Sequence, residues 1–396
     1  MGLFNKDNKK KSSLAVTGTK TFSDFPFCDK PFRVKVEDCW KNFIIEEKTL
    51  RQLIDARAGR EQISDVLQKL LSPVFEDVYA EVGFSGEKYD LILNLEGDWS
   101  KLFSRTYFKN KAPQEALDHW NIIVGRRSNG QAIDRFRIEM GENSVCASDI
   151  CLWTDWANGC AALSVYCENM LPLIKGNVDA AYNLLYILLD QAVGELAEMK
   201  FIGDIKFLDE PLNRPHMSLQ GLMDDMVSNL SMTREQLLDT NRYIDLYSAY
   251  RMNPNESSKD GKRGDIISGS TCFLPLMNEY YGNRPYIMDS LQKDGIFAGY
   301  LFYPIDTVKS DSRGTQILEL RDAITDELEH SLPDAFMFVG GATGVNFGYI
   351  DFISWDLRQV LDLVPKIAEK HGLSWISFRS FRSDSESYSV KLSNGE

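Results

Sequence analysis

Histidine is scarce in this chain: His119, His216, His330 and His371 are the only four in 396 residues. None stands in H-E-x-x-H, and neither G-x-S-x-G nor H-x-E with a following P-C-x-x-C occurs. Metallohydrolase, α/β-hydrolase and zinc-deaminase chemistry therefore have no motif to rest on. Also missing is any run approaching the ~20 uninterrupted apolar residues that span a bilayer. The first twenty residues hold a lysine cluster but no apolar segment before a small-residue cleavage site, so the expectation is a cytoplasmic protein with no membrane partner. Gly2 follows Met1, but position 6 is Lys6, where an acylation signal needs Ser or Thr.

Seven cysteines, Cys28, Cys39, Cys146, Cys151, Cys160, Cys167 and Cys272, are an odd set in a chain with no export signal and read as reduced thiols. The middle four are spaced C-x4-C-x8-C-x6-C, unlike the short knuckles of structural zinc sites. Odd offsets also place Cys146 and Cys151, or Cys160 and Cys167, on opposite faces of a regular strand. No metal or cofactor is called for. His330 and His371 each fall near an expected helix C-terminus, where the dipole favours a cation.

What the chain does have is negative charge. Its formal net charge is −14, and the first twenty residues contribute +4, leaving −18 for the rest. Such a body repels phosphate backbones, so direct nucleic-acid binding is not expected, while a basic protein is a suitable partner.

Periodicity predicts an α+β protein of two tandem ferredoxin-like (βαββαβ) units. A basic tail covers residues 1–21 and a helical lead-in 22–85. The first α+β unit follows at 86–210, with a helical stripe of Ala181, Leu184, Leu185, Leu188, Leu189 and Val193. A helical connector spans 211–290; within it Thr233 to Gln236 form a capping box, and the polar run 251–265 reads as a mobile loop. The second unit occupies 291–385 and a polar tail 386–396. In that unit "IFAGYLFYP", "AFMFVG", "FGYIDFISW" and "LSWISFRSF" read as strands, with helices over Thr315–Leu332 and Leu357–Glu369.

Gly340, Gly341 and Gly344 stand between two strands with no following helix or lysine, which excludes a phosphate loop. They read as a hairpin loop needing positive φ. Asp356 is expected to N-cap the helix at Leu357. Tyr349, Asp351, Ile353 and Trp355 alternate onto one sheet face, read as solvated and open to a partner. Candidate partner-binding residues are Tyr349, Asp351, Trp355, Glu96 and Asp98; no catalytic residue is assigned. The tryptophans Trp99, Trp120, Trp153, Trp156, Trp355 and Trp375 read as core.

"APQEALDHW" after "LEGD", and the later "GGATG", "YIDFISWDL" and "HGLSW", resemble stretches of uncharacterised bacterial domain-of-unknown-function proteins, which implies a bacterial cytoplasmic source. In acidity and element order the chain is also similar to RraB-type regulators of ribonuclease E. The expected function is a non-catalytic acidic interaction protein, of the inhibitor or immunity type, binding a basic nuclease or toxin. The alternative is an enzyme or small-molecule-binding protein with a carboxylate-lined site between the two α+β units.

Overall fold

The computed structural model describes residues 29–140, 143–305 and 313–390. The tail expected at 1–21, Cys28 and the last residues of the polar tail, 391–396, lie outside the described residues. The chain is a mixed α+β protein, and its described residues form two compact units, one of 34–245 and one of 246–390 with 29–33.

In the first unit, helices α1 (Phe32–Asp55) and α2 (Arg60–Leu71) precede the hairpin of β1 (Ala80–Ser85) and β2 (Lys88–Leu93). The expected helical lead-in therefore ends early. Val82 and Phe84 alternate along β1, and Gly86, at φ +68, turns the chain into β2. Helices α3 (Trp99–Asn110) and α4 (Gln114–Leu117) carry it to β3 (Trp120–Val124), which pairs parallel with β2. Trp40 stacks on Phe108 with centroids 4.4 Å apart and donates its indole N–H to the Phe108 carbonyl at 3.0 Å, fixing α1 to α3.

A second hairpin, β4 (Arg137–Met140) with β5 (Asn143–Cys146), precedes β6 (Cys151–Ala157) and β7 (Cys160–Tyr166). Helices α5 (Leu171–Gly176), α6 (Val178–Val193) and α7 (Glu195–Phe201) then lead to β8 (Ile202–Phe207). The expected stripe on α6 is buried. The strands of 86–210 do not share one sheet: their orders are β1-β2-β3, β4-β5 and β6-β7-β8. β3 ends at Val124; Gly125 follows at φ +75, and the next amide, of Arg126, is bonded to the Glu195 carboxylate rather than to a strand. Helices α8 (Leu219–Leu230), α9 (Arg234–Leu238) and α10 (Thr240–Ile244) complete this unit rather than a connector. The capping box at Thr233 is formed, with the Gln236 amide donating to the Thr233 hydroxyl at 3.3 Å and the Gln236 side chain accepting from the Thr233 amide at 2.9 Å.

The second unit is one antiparallel sheet of seven strands in the order β15-β14-β11-β13-β12-β10-β9. Its strands are β9 (Ser248–Arg251), β10 (Ile266–Thr271), β11 (Phe297–Pro304), β12 (Phe336–Gly344), β13 (Phe347–Ser354), β14 (Ile376–Ser380) and β15 (Tyr388–Val390). Helices α13 (Arg313–Ser331) and α14 (Leu357–Lys370) cover one face, over a core that includes Leu301, Ile324, Ile350, Val360, Leu361 and Phe378. The shorter α11 (Leu274–Gly282) and α12 (Tyr286–Asp294) precede β11.

The opposite face corrects two expectations. Tyr349, Asp351, Ile353 and Trp355 do alternate together, but they are 0 %, 0 %, 0 % and 3 % exposed. The run 251–265, expected to be mobile, is packed upon them. Arg263, itself 1 % exposed, sends one guanidinium nitrogen to Asp351 Oδ2 at 3.1 Å and a second, more closely, to Oδ1. The Tyr300 hydroxyl donates to the Gly261 carbonyl at 2.9 Å and that of Tyr280 to the Lys262 carbonyl at 3.1 Å. Polar composition reads as loop, yet Arg263 and Asp265 of this run are buried and paired within the fold, while much of 251–260 stays exposed.

The glycines are likewise not a turn. Gly340, Gly341 and Gly344 lie inside β12, with none of them at positive φ. A Cβ on Gly340 would meet the Ser270 carbonyl at 2.5 Å, and one on Gly344 the Asp265 carboxylate at 2.3 Å. Close approach, not backbone handedness, requires them. Asp356 does precede α14, but its carboxylate takes Arg33 at 3.4 Å and Gln359 at 2.8 Å instead of capping.

Removing one partner of the Arg263–Asp351 pair strands a charge in the interior. We predict that Asp351→Ala costs about 3–5 kcal/mol in urea unfolding, and that Arg263→Met with Asp351→Leu recovers much of it. An unchanged midpoint for the single variant would show that the pair does not hold this face closed.

Candidate functional site

Of the five residues expected to meet a partner, Tyr349 and Asp351 are unreachable. Tyr349 donates its hydroxyl to Asp265, and Asp351 is engaged by Arg263. Burial raises the Asp351 pKa and the guanidinium opposes that shift, while Arg263 is held firmly charged. Neither carboxylate nor phenol is free to act on a ligand. Trp355 packs against Phe32 at 5.7 Å and lines a cavity of about 790 Å³ with Asp29, Gln292 and Asp356.

Glu96 and Asp98 belong to the unit of residues 34–245, and each has a structural task there. Asp98 caps α3 by accepting the Ser100 amide at 2.8 Å. Glu96, at φ +53, pairs with Lys101 through its side chain, and its amide is held by Glu195. The carboxylate of Glu195 is 3 % exposed and also accepts the amides of Leu95 at 3.1 Å and Arg126 at 3.0 Å. Three backbone donors satisfy it, so it organises two loops rather than offering a base.

Among the described residues no three His, Cys, Asp or Glu side chains form a group able to hold a metal. The described cysteines are all free thiols; Cys39, Cys146, Cys167 and Cys272 are buried and only Cys160 is exposed. Burial pushes the Cys39 thiol up to about 12, far from a reactive thiolate.

A concavity that the sequence reading missed lies between α2 and β1. Its volume is about 490 Å³, and Ile63, Leu67, Leu71, Tyr79, Ala80 and Val82 are among its lining residues. β1 is the edge of its sheet among the described residues, so alternate amides and carbonyls face away from β2. Tyr79 and Phe84 remain 53 % and 60 % exposed. The charged residues that line the groove are Arg60 and Glu81, and Glu61, Asp65, Glu76, Asp77 and Glu87, on or next to α2 and β1 in sequence, are exposed. Residues 34–245 hold 22 Lys and Arg against 34 Asp and Glu, a net −12, whereas 246–396 carry only −6. The alternation in "EVGFSGEKYDLIL" was the available signal for this strand.

Two carboxyls near Glu195 are strained by their surroundings. Burial, then the charge of Glu195, lifts Asp190 from 3.8 to about 7 against the pull of Arg126; burial, then Asp190 and Glu195, lifts Glu198 from 4.5 to about 8. The folded chain therefore binds more protons than the unfolded chain between about pH 4 and pH 8. Stability falls as pH rises through that window. Asp190→Asn with Glu198→Gln is expected to raise stability at pH 9 by at least ~1 kcal/mol and to change it little at pH 4; equal effects at both pH values in thermal unfolding would refute this. No family model, no curated protein and no solved structure matches the chain.

Proposed function

We propose that the chain is a non-catalytic interaction protein that takes an extended, basic segment of a partner protein along β1, in the groove against α2. The observation that carries this reading is the coincidence of a free strand edge with the more acidic of the two units. An added strand gains backbone hydrogen bonds from β1, while Ile63, Leu67 and Val82 accept alternate apolar side chains. Glu61, Asp65 and Glu87 favour lysine and arginine in the remaining positions and speed encounter. A basic nuclease or toxin presenting such a segment is the partner class we favour, and inhibition by occupation is the corresponding activity. For the second unit we infer a ferredoxin-like fold. Its supports are the order β14-β11-β13-β12 and the succession β11, α13, β12, β13, α14, β14.

The test is fluorescence anisotropy with a labelled ten-residue Lys/Val peptide and its Glu/Val counterpart across a salt series. Only the basic peptide should bind, weakening about tenfold or more between ~50 and ~300 mM salt. Glu61→Lys with Asp65→Lys, both on the exposed side of α2, should abolish binding, as should N-methylation of alternate peptide amides. Salt-insensitive binding, or indifference to N-methylation, would sink the strand-addition reading.

A further inference from the structure

The second unit carries a concavity of opposite character, independent of the β1 groove. Beyond α13 the sheet continues through β10 and β9, leaving about 490 Å³ between Leu318 and Arg321 on the helix and a floor that includes Arg251, Ser268, Ser270 and Thr343. Among the described residues no carboxylate lines it, in a chain of net charge −14. Strand register explains the floor. Tyr303 pairs with Gly348, Gly348 with Thr343, Thr343 with Ser268 and Ser268 with Arg251, one row across five strands on the face that α13 covers. The neighbouring row brings Gly341 beside Ser270.

Glycine sets where the polar groups lie. A Cβ on Gly341 would fall 2.8 Å from Arg321 Cδ, so the arginine stem lies flat across β12. A Cβ on Gly348 would fall 2.8 Å from the Tyr303 hydroxyl oxygen, which places that hydroxyl above β13, one strand from Thr343. Tyr303 is 0 % exposed and its hydroxyl has no hydrogen-bond partner among the described residues. Arg251 is exposed, with no ion pair among the described residues. Arg321 bonds Asp322 at 3.1 Å, but that carboxylate is 60 % exposed, and such a surface pair exchanges readily.

We propose that this groove binds the phosphate of a small phosphorylated molecule, seated between Arg251 and Arg321 with Ser268, Ser270 and Thr343 donating to its oxygens. Two guanidinium groups and several hydroxyls exceed what one carboxylate accepts and suit a phosphate dianion. The cavity is larger than phosphate alone, and Leu318 and Ala249 offer apolar surface for the remainder.

Calorimetric titration of the full chain with phenyl phosphate, and separately with benzoate, at constant ionic strength tests this. Saturable one-to-one binding of phenyl phosphate at ~1 mM or tighter is expected, with benzoate at least about tenfold weaker. Arg251→Gln and Arg321→Gln should each lower phenyl phosphate affinity about tenfold. Arg251 is exposed, so the urea midpoint of its variant should hold, which separates lost binding from lost folding. Absence of saturation by ~20 mM, equal binding of benzoate, or affinity unmoved by both substitutions would overturn the proposal.

Discussion

Arg263 enters the interior of the second unit from a loop that composition marks as solvent-loving, and everything on that side of the sheet is arranged around its charge. A guanidinium removed from water is costly unless nearly every donor is engaged. Asp351 takes two nitrogens, the Tyr250 hydroxyl accepts from one at 2.8 Å, and the rings of Tyr300, Tyr349 and Phe381 lie 5.0, 5.0 and 5.5 Å from its centre. Aromatic faces attract a cation most strongly where water is excluded. The pair thus fixes more than itself: Tyr250 belongs to β9, so the same guanidinium holds the outermost strand in place, and the other side of β9 carries Ala249 and Arg251 into the groove.

Much of this half was legible in the sequence. Strands β11 to β14 and both long helices lie where alternation and 3.6-residue spacing put them, and Tyr349, Asp351, Ile353 and Trp355 share a face as a period of two requires. What alternation cannot report is whether a face is wet. A polar residue in an apolar row is equally consistent with solvent and with a buried partner, and that partner, Arg263, lies 88 residues away in sequence. The covering segment was unreadable for a related reason. Asn255 and Asp260 are turn formers by composition, and they do make turns, accepting at their side-chain oxygens from the amides of Ser257 and Lys262, two residues on. Those turns fold the loop against the sheet instead of freeing it.

Element order proved less informative in residues 34–245, because succession does not fix pairing. β2 and β3 pair in parallel across a helical crossover, and β6 to β8 form their own sheet. Beyond the C-terminal ends of β2 and β3 the chain is held by a carboxylate: Glu195 gathers amides from Leu95, Glu96 and Arg126. Of the candidate site residues there, Glu96 and Asp98 lie beyond the end of β2 at Leu93, in the loop before α3, which Asp98 caps. Their sequence neighbourhood could not reveal that the stabilising acid is Glu195, 99 positions later. The edge strand beside them was hidden by its position in a stretch dominated by helical spacing.

The glycine-rich hairpin joins the two faces of the second unit. Gly344 yields to Asp265, which anchors the loop bearing Arg263 by accepting the Asn346 amide at 2.8 Å and the Phe347 amide at 3.1 Å. Gly341 and Gly348 yield on the helix side, to Arg321 and Tyr303. Side chains at these positions would force apart groups that the sheet brings within contact, and the displaced group differs with position: the loop anchor for Gly344, a groove arginine for Gly341. A motif that fails as a phosphate loop by spacing thus still determines where cationic and hydroxyl groups stand. Its backbone does not cradle a ligand; its missing side chains make room for the residues that could.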